Sequence, residues 1–286
     1  MKKLLLQLDT DPMPSVFDGI VAYDAGVDHV LPYGGVTPEN VQDLVYGAMF
    51  TRGGDKLKHT AIFVGGSRVE DAQAVLEKIQ ETFFGPVRVS VLMDANGCNT
   101  TAAAAVLKMN QALPVQGKRA LVLAGTGPVG MRAAGLLALE GAQVALTSRN
   151  KERGEHTCRL LQELYGVEVT AYELDPRDQG AVEELLAGVQ LVLAAGPPGA
   201  VLLEEETWTK LPQLQVVADI NAVPPGGIPG VKPTDDGKER HGKVCFGALG
   251  IGGLKMKLHK KALQSLFTAN DLVLDAREVY ALGKEL

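Results

Sequence analysis

Disulfide frameworks, membrane-spanning runs and a basic surface are all missing from this sequence. Its three cysteines, Cys98, Cys158 and Cys245, are odd in number, scattered and never spaced C-x-x-C. That excludes a disulfide scaffold and a zinc ribbon and fits a reducing compartment. No apolar stretch approaches the roughly 20 residues that a membrane helix needs. Met1-Lys2-Lys3 and Leu4-Leu5-Leu6 open like a secretion signal, but the run stops at Gln7 and Asp9, too soon for a signal core. The five histidines, His29, His59, His156, His241 and His259, show no metal-ligand spacing. No metal site is therefore expected, and each is read as a surface or structural side chain. Net charge is −6 and no long basic run exists, which argues against nucleic acid or anionic membranes as partners. What is present is 46% apolar and 22% charged over 286 residues. These values predict a cytoplasmic α/β protein, long enough for two domains.

The most informative stretch is Val122 to Arg149. An apolar strand over Ala120–Ala124 runs into Gly125-Thr126-Gly127-Pro128-Val129-Gly130, and an Ala/Leu-rich helix follows to Glu140. Gly141 stops that helix and Val144–Leu146 gives the next strand, so the G-x-G-x-x-G closes a βαβ unit. In such a unit Gly125 allows the tight turn, Gly127 admits a pyrophosphate, and Gly130 lets helix and strand pack closely. The first-turn amides face the phosphates, and Pro128 costs little where an N–H has no helical partner. An NAD site places a carboxylate near the end of the second strand. Here Ser148 and Arg149 stand there, with Arg153 one turn later. A hydroxyl and a guanidinium suit a 2′-phosphate, each charge-assisted bond contributing about 1.5–3 kcal/mol. NADP is the expected cofactor, with NAD allowed.

Strand and helix alternate before this unit. Strands are expected over Leu4–Leu8, Val27–Leu31, Thr60–Val64 and Val87–Met93. Helices are expected over Ser15–Tyr23, from Thr37-Pro38-Glu39 to Met49, and over Val69–Phe83. That order implies a mostly parallel sheet covered by helices. The alanine-rich helix Ala102–Gln111 is read as an arm between domains, with Asn99 and Thr100 turned to a cleft. After Arg149, helices are expected over Lys151–Tyr165 and Arg177–Ala187, with strands over Glu168–Tyr172, Val189–Ala194 and Val216–Ile220. Ala195 and Gly196, then Asn221 and Ala222, end two of these strands as cofactor-lining turns. Gly247 opens a glycine-rich loop to Gly253 that lets backbone approach a flat ring. Helices from Leu254 and Asp275 have no strand of their own and return to the N-terminal sheet. The expected architecture is two-lobed α/β, with a Rossmann-type NADP domain over 113–253. A discontinuous substrate domain takes 1–112 and 254–286.

Five segments together carry a family resemblance: LDTDPMPSVFD from Leu8, DANGCNTTAAA from Asp94, VLAGTGPVGMR from Val122, DINAVPP from Asp219 and FGALGIGGLKMKLH from Phe246. The sequence resembles the NADP-dependent methylene-tetrahydromethanopterin dehydrogenases over nearly its whole length. That family is similar in architecture to methylene-tetrahydrofolate dehydrogenase/cyclohydrolases. The resemblance implies oxidation of a methylene-pterin to the methenyl cation, with hydride passing to NADP, on a route from formaldehyde to formate. It also implies a homo-oligomer, with trimers as a building block, and leaves the folate coenzyme open as substrate.

The chemistry can be argued separately. Hydride leaves a carbon between two nitrogens whose lone pairs stabilise the product cation, so no proton need be removed. Ring apposition and nearby carboxylates are what help. Asp9, Asp11 and Asp18 lie at the mouth of the first strand, and Asp18 is the first choice for catalysis. Asp9 and Asp11 are also suited to capping the turn. Phe17, in the same segment, is kept as a substrate contact, although Phe17, Phe63, Phe83 and Phe84 read first as core. Lys255, nearer the glycine loop than Lys257, is the second catalytic candidate. Positions two apart do not share a helix face, so at most one of these lysines enters the site. A Y-x-x-x-K pair of the cyclohydrolase kind is missing: Val27 follows Tyr23, and Thr37 follows Tyr33. Two further readings keep the cofactor lobe. One is a shikimate-type alcohol dehydrogenase, in which Asp18 and Lys255 form the acid/base pair; the other is a non-catalytic NADP sensor.

Overall fold

The computed structural model describes residues 1–286, except for the side chain of Gln179. The chain forms two compact units, Met1–Thr100 with Met256–Leu286, and Thr101–Lys255. The first boundary falls at Thr100, within a helix, and not at 112 where that helix ends.

The first unit begins with β1 (Leu4–Asp9), α1 (Val16–Asp24), β2 (His29–Tyr33) and α2 (Val41–Phe50). β3 (Thr60–Gly65), α3 (Val69–Thr82) and β4 (Ser90–Met93) follow, then α4 (Cys98–Ala112), which contains the boundary. The second unit holds β5 (Arg119–Leu123), α5 (Pro128–Leu139), β6 (Gln143–Ser148), α6 (Lys151–Tyr165) and β7 (Thr170–Glu173). It continues with α7 (Gln179–Leu186), β8 (Leu191–Ala194), α8 (Glu205–Trp208), β9 (Val216–Asp219), β10 (Asp236–Arg240) and β11 (Lys243–Phe246). α9 (Ala248–Ser265) contains the second boundary, and β12 (Val273–Leu274) and α10 (Ala276–Gly283) complete the first unit.

In the first unit five parallel strands are ordered β12-β4-β3-β1-β2. β1, β3 and β4 are buried on both faces, which is why they read as continuous apolar runs. Leu5, Leu8, Ile62, Phe63, Leu92 and Met93 form the core with Val75 and Ile79 of α3. Each such side chain contributes about 1.5–3 kcal/mol. The C-terminal piece does own a strand, contrary to expectation. β12 pairs with β4, and Ser90 Oγ ties the join by donating to the Ala269 carbonyl at 2.9 Å. α2 starts at Val41 and not at Pro38, because the Asn40 side chain turns back to accept the Thr37 N–H at 2.9 Å. α4 starts four residues earlier than expected, because the buried Asp94 carboxylate accepts from the Asn99 and Thr100 amides and from the Thr100 hydroxyl.

α10 opens on a capping box in which Asp275 and Glu278 exchange bonds with each other's backbone. Burial, reinforced by the Asp275 charge, pushes the Glu278 carboxyl up to about 7. A raised value means that the folded chain keeps a proton the unfolded chain releases between pH 4.5 and 7. This contribution is therefore complete below the unfolded value and is lost as pH rises through 7. Glu278→Gln, which keeps the box without the charge, should gain on wild type by about 2–4 °C in Tm between pH 5 and pH 8. Parallel melting curves for the two proteins would contradict this.

In the second unit seven strands are ordered β10-β11-β9-β8-β5-β6-β7. All pair in parallel except β10, which adds an antiparallel edge. The order reverses between β5 and β8, the switch point where open α/β sheets bind ligands at the strands' carboxyl ends. The core gathers Leu121, Leu123, Val192, Val217 and Trp208, whose indole N–H donates to the Pro229 carbonyl at 2.9 Å.

Candidate functional site

The G-x-G-x-x-G loop lies at the β5–α5 turn of the second unit. The left-handed residue is Ala124, with φ 53°, and not Gly125. Gly125 is required for another reason: a Cβ there would stand 2.6 Å from Leu146 Cβ. At Gly130 a Cβ would meet Gly125 Cα at 2.8 Å, so helix and strand touch through bare backbone. Gly127 differs from both, because its Cβ would meet nothing closer than 3.8 Å. The side of Gly127 that a Cβ would occupy is therefore open. Thr126, Pro128 and Val129 are partly exposed around it, and Pro128 occupies the first turn of α5. Arg132, one turn later, is buried and donates to the Pro128 carbonyl.

At the end of β6 the Thr147 hydroxyl accepts the Ala124 N–H at 2.9 Å, joining the two strand ends. Ser148 is buried and accepts the Asn150 N–H, while Asn150 caps α6 by accepting from the Arg153 amide. Arg149 and Arg153 are exposed. Asp175, just beyond β7, is held down to about 2 by hydrogen bonds from Arg177, with Arg149 adding to the effect. Arg149 thus belongs to the charge field at the ends of β6 and β7.

Two further loops lie at the carboxyl ends of β8 and β9. Ala195 and Gly196 follow β8, and Asn221 ties the loops by donating from Nδ2 to the Pro197 carbonyl at 3.3 Å. Asp219, unforeseen in the sequence, is buried there. Its carboxylate accepts the Asn221 and Ile228 amides at 2.9 and 3.0 Å, and burial raises its pKa. Asn221, Ala222 and Gly247 line a cavity of about 140 Å³ beside it. The glycine-rich stretch after Gly247 is helical and not a loop, since α9 begins at Ala248. Cβ atoms at Gly247 and Gly250 would stand 2.0 Å from the Lys232 and Asp235 carbonyls. These two glycines therefore serve close packing.

The first unit gathers a second set of residues at the ends of β1 and β3. Asp9 is buried and accepts the Asp11 and Ser15 amides at 2.9 Å, and Asp11 accepts both the amide and the hydroxyl of Ser67. Both carboxylates fasten the β1–α1 loop. Ser15 caps α1 by accepting the Asp18 amide, which sets Asp18 in the first turn. Asp18 and Asp9 both reach toward Gly65, where a Cβ would come within 3.8 and 3.3 Å of their Oδ2 atoms. Asn99 and Thr100 are buried and bond to the Met93 carbonyl and to Asp94. Phe17 is half exposed and Phe84 more so, against the expectation that both are core.

His259, read from sequence as a bystander, is 1% exposed with Nε2 4.0 Å from Asp18 Oδ1. Its ring stacks on Phe63 at 5.6 Å and lies 6.4 Å from Phe17. The sequence signal is the spacing of four from Lys255, which puts the two on one face of α9. Lys255 is partly buried and Lys257 exposed. Among the described residues no cluster of His, Cys, Asp or Glu is arranged to hold a metal ion, and no helix is long and apolar enough to cross a membrane.

Comparison with known proteins fits this division of labour. Residues 16–96 match the family model for the N-terminal part of methylene-tetrahydromethanopterin dehydrogenase, and residues 118–196 match that for short chain dehydrogenases. Among solved structures, quinate dehydrogenase from Corynebacterium glutamicum aligns with a TM-score of 0.51 at 14% identity. That alignment covers 100% of this chain and 99% of the other, and it shows a shared fold. The "Bifunctional protein MdtA" of Methylorubrum extorquens is 48% identical, covering 100% of this chain and 99% of its own. The NAD(P)-dependent methylenetetrahydromethanopterin dehydrogenase of the same organism is 32% identical, covering 95% and 94%. This chain belongs to the methylene-tetrahydromethanopterin dehydrogenase family.

Proposed function

We infer that this chain oxidises 5,10-methylene-tetrahydromethanopterin to the methenyl form by direct hydride transfer to NADP, with NAD as a second acceptor. What supports the reading most is its end-to-end similarity to a dehydrogenase named for that substrate. NADP, when bound, supplies the hydride acceptor. Gly125, Gly127 and Gly130 bring backbone amides to the pyrophosphate, with Thr126, Pro128 and Val129 around it. Ser148, Arg149 and Arg153 face the 2′-phosphate. Ala195, Gly196, Asn221, Ala222 and Gly247 shape the rest of the cofactor path. On the substrate side Asp18 stabilises the positive charge that grows on the carbon as hydride departs. Lys255 orders the pterin by hydrogen bonding, and half-exposed Phe17 offers it a flat face. Asp9, Asp11, Asn99 and Thr100 act at one remove, by holding the loops that carry these groups. The proposed setting, inferred from the family alone, is cytoplasmic formaldehyde oxidation by a homo-oligomer.

The test is spectrophotometric: purified protein with NADP or NAD, supplied with the methylene forms of tetrahydromethanopterin and tetrahydrofolate. Formation of NADPH with the first substrate is expected, and no turnover of either would overturn the reading. The folate carrier is kept as a second substrate because the family resemblance leaves it open. Arg149→Ala should raise the KM for NADP about tenfold, one charge-assisted hydrogen bond, and leave that for NAD unchanged. Equal losses on both cofactors would remove Arg149 from the 2′-phosphate.

A further inference from the structure

The role of Asp18 in the proposed reaction depends on how its carboxylate is held. A charge stabilises a transition state only if it is already aimed when the charge develops; reorienting it during the reaction costs what the interaction returns. Asp18 sits in the first turn of α1, with its backbone amide on the Ser15 cap and its side chain 17% exposed. Backbone capping fixes the Cα of Asp18 and leaves two side-chain torsions to be settled by neighbours.

Three neighbours from different elements converge on those torsions. Gly65, at the end of β3, leaves the space into which Asp18 Oδ2 extends, 3.8 Å from where a Cβ would stand. Asp9, on the same side, has its oxygens occupied by the Asp11 and Ser15 amides. On the other carboxylate oxygen stands His259, with Nε2 4.0 Å from Oδ1, within electrostatic reach and beyond the length of a hydrogen bond. The imidazole itself is immobilised. It is buried on α9, with Phe63 stacked at 5.6 Å and 26° and Phe17 at 6.4 Å and 36°. A Lys260–Asp24 ion pair at 2.8 Å fastens the next residue of α9 to the end of α1. A histidine used only to fill a core would not need a nitrogen turned toward a carboxylate; a phenylalanine would stack on Phe63 as well.

We propose that His259 is a positioning residue for Asp18, a ring stacked on Phe63 and flanked by Phe17 whose Nε2 edge orients the carboxylate toward the one-carbon unit. The proposal rests on the reading of Asp18 as the charge-stabilising group. In this proposal His259 acts through Asp18 and not on the substrate or the cofactor.

A double-mutant cycle tests it on the full chain, with whichever methylene carrier the wild type oxidises. His259→Phe keeps the stacking and removes the nitrogen. It should lower kcat about tenfold, within the range for coupled neighbours, with little change in KM for NADP. His259→Gln, which returns an amide near the Nε2 position, should recover part of that loss. In the Asp18→Asn background His259→Phe should cost nothing more, because the group it positions is gone. Equal fractional losses in both backgrounds, or full turnover of His259→Phe alone, would overturn the proposal. Should His259→Phe misfold by circular dichroism, His259→Asn withdraws the nitrogen without added volume and is read in the same cycle. Full turnover of Asp18→Asn by itself would instead sink the underlying reading of Asp18, so the two failures are told apart.

Discussion

Gly127→Val should fold and melt like the wild type yet lose NADP affinity by about a hundredfold or more. The loop separates steric from functional glycines. At Gly127 the backbone is extended, with φ −76° and ψ 165°, a conformation open to any residue. An added Cβ meets only the Ala124 and Ala195 carbonyl oxygens at 3.8 Å, ordinary contact distance. A Cβ therefore costs the fold nothing here, and the need for glycine is assigned to the proposed pyrophosphate. A valine would hold the pyrophosphate off the first-turn amides of α5, and each charge-assisted bond lost costs about 1.5–3 kcal/mol. Two such bonds account for the hundredfold. Gly125→Ala and Gly130→Ala should behave oppositely, since their Cβ atoms would meet Leu146 and the Gly125 backbone at 2.6 and 2.8 Å. Overpacking of that kind costs about 1–3 kcal/mol of stability. Calorimetric titration with NADP beside thermal melts reads both quantities, and normal NADP binding by Gly127→Val would mean that the phosphates do not cross this loop.

Asp18→Asn should cut kcat by about a hundredfold while leaving NADP affinity unchanged. The amide is isosteric, and the capping bond from Asp18 to Ser15 is made by the backbone, so α1 keeps its start. What is lost is the negative charge proposed to face a carbon becoming cationic. Removing one preorganised electrostatic group from a site of this kind costs about 10²–10³ in kcat. No part of the pyrophosphate loop is involved, so the effect belongs to turnover. Stopped-flow measurement of NADPH formation, with NADP affinity measured separately, checks the division. A variant that turns over normally would leave Asp9 and Asp18 as purely structural carboxylates.

Much of the fold is legible in the sequence. α6 was placed to the residue because Asn150 and Gly166 mark its ends chemically, one by capping and one by a left-handed φ of 68°. The buried parallel strands β1, β3, β4, β5, β8 and β9 read as apolar runs, whereas β2 and β7 are largely exposed. Misreadings came where distant packing overrides local preference. Glycine disfavours helix, so Gly247 to Gly253 looked like a loop; the nearness of the Lys232 and Asp235 carbonyls makes glycine the residue that fits there. β10, Asp-Gly-Lys-Glu-Arg, is polar and almost wholly exposed, an edge strand without the apolar alternation that marks one. The tight turn at Gly125 has its left-handed residue at Ala124, and the collision at Leu146, not φ, selects the glycine. His259 was hidden for a different reason: 241 residues separate it from Asp18, and only the fold brings them within 4.0 Å.

The central claim is that hydride passes directly from the one-carbon unit to the nicotinamide, with no proton exchanged on the way. Methylene-tetrahydromethanopterin carrying two deuterium atoms on the methylene carbon, oxidised by the wild-type protein with NADP in ordinary water, tests this most directly. The account predicts one deuterium per turnover in the NADPH formed, on a single face of the ring. Deuterium released to water, with NADPH left unlabelled, would contradict it.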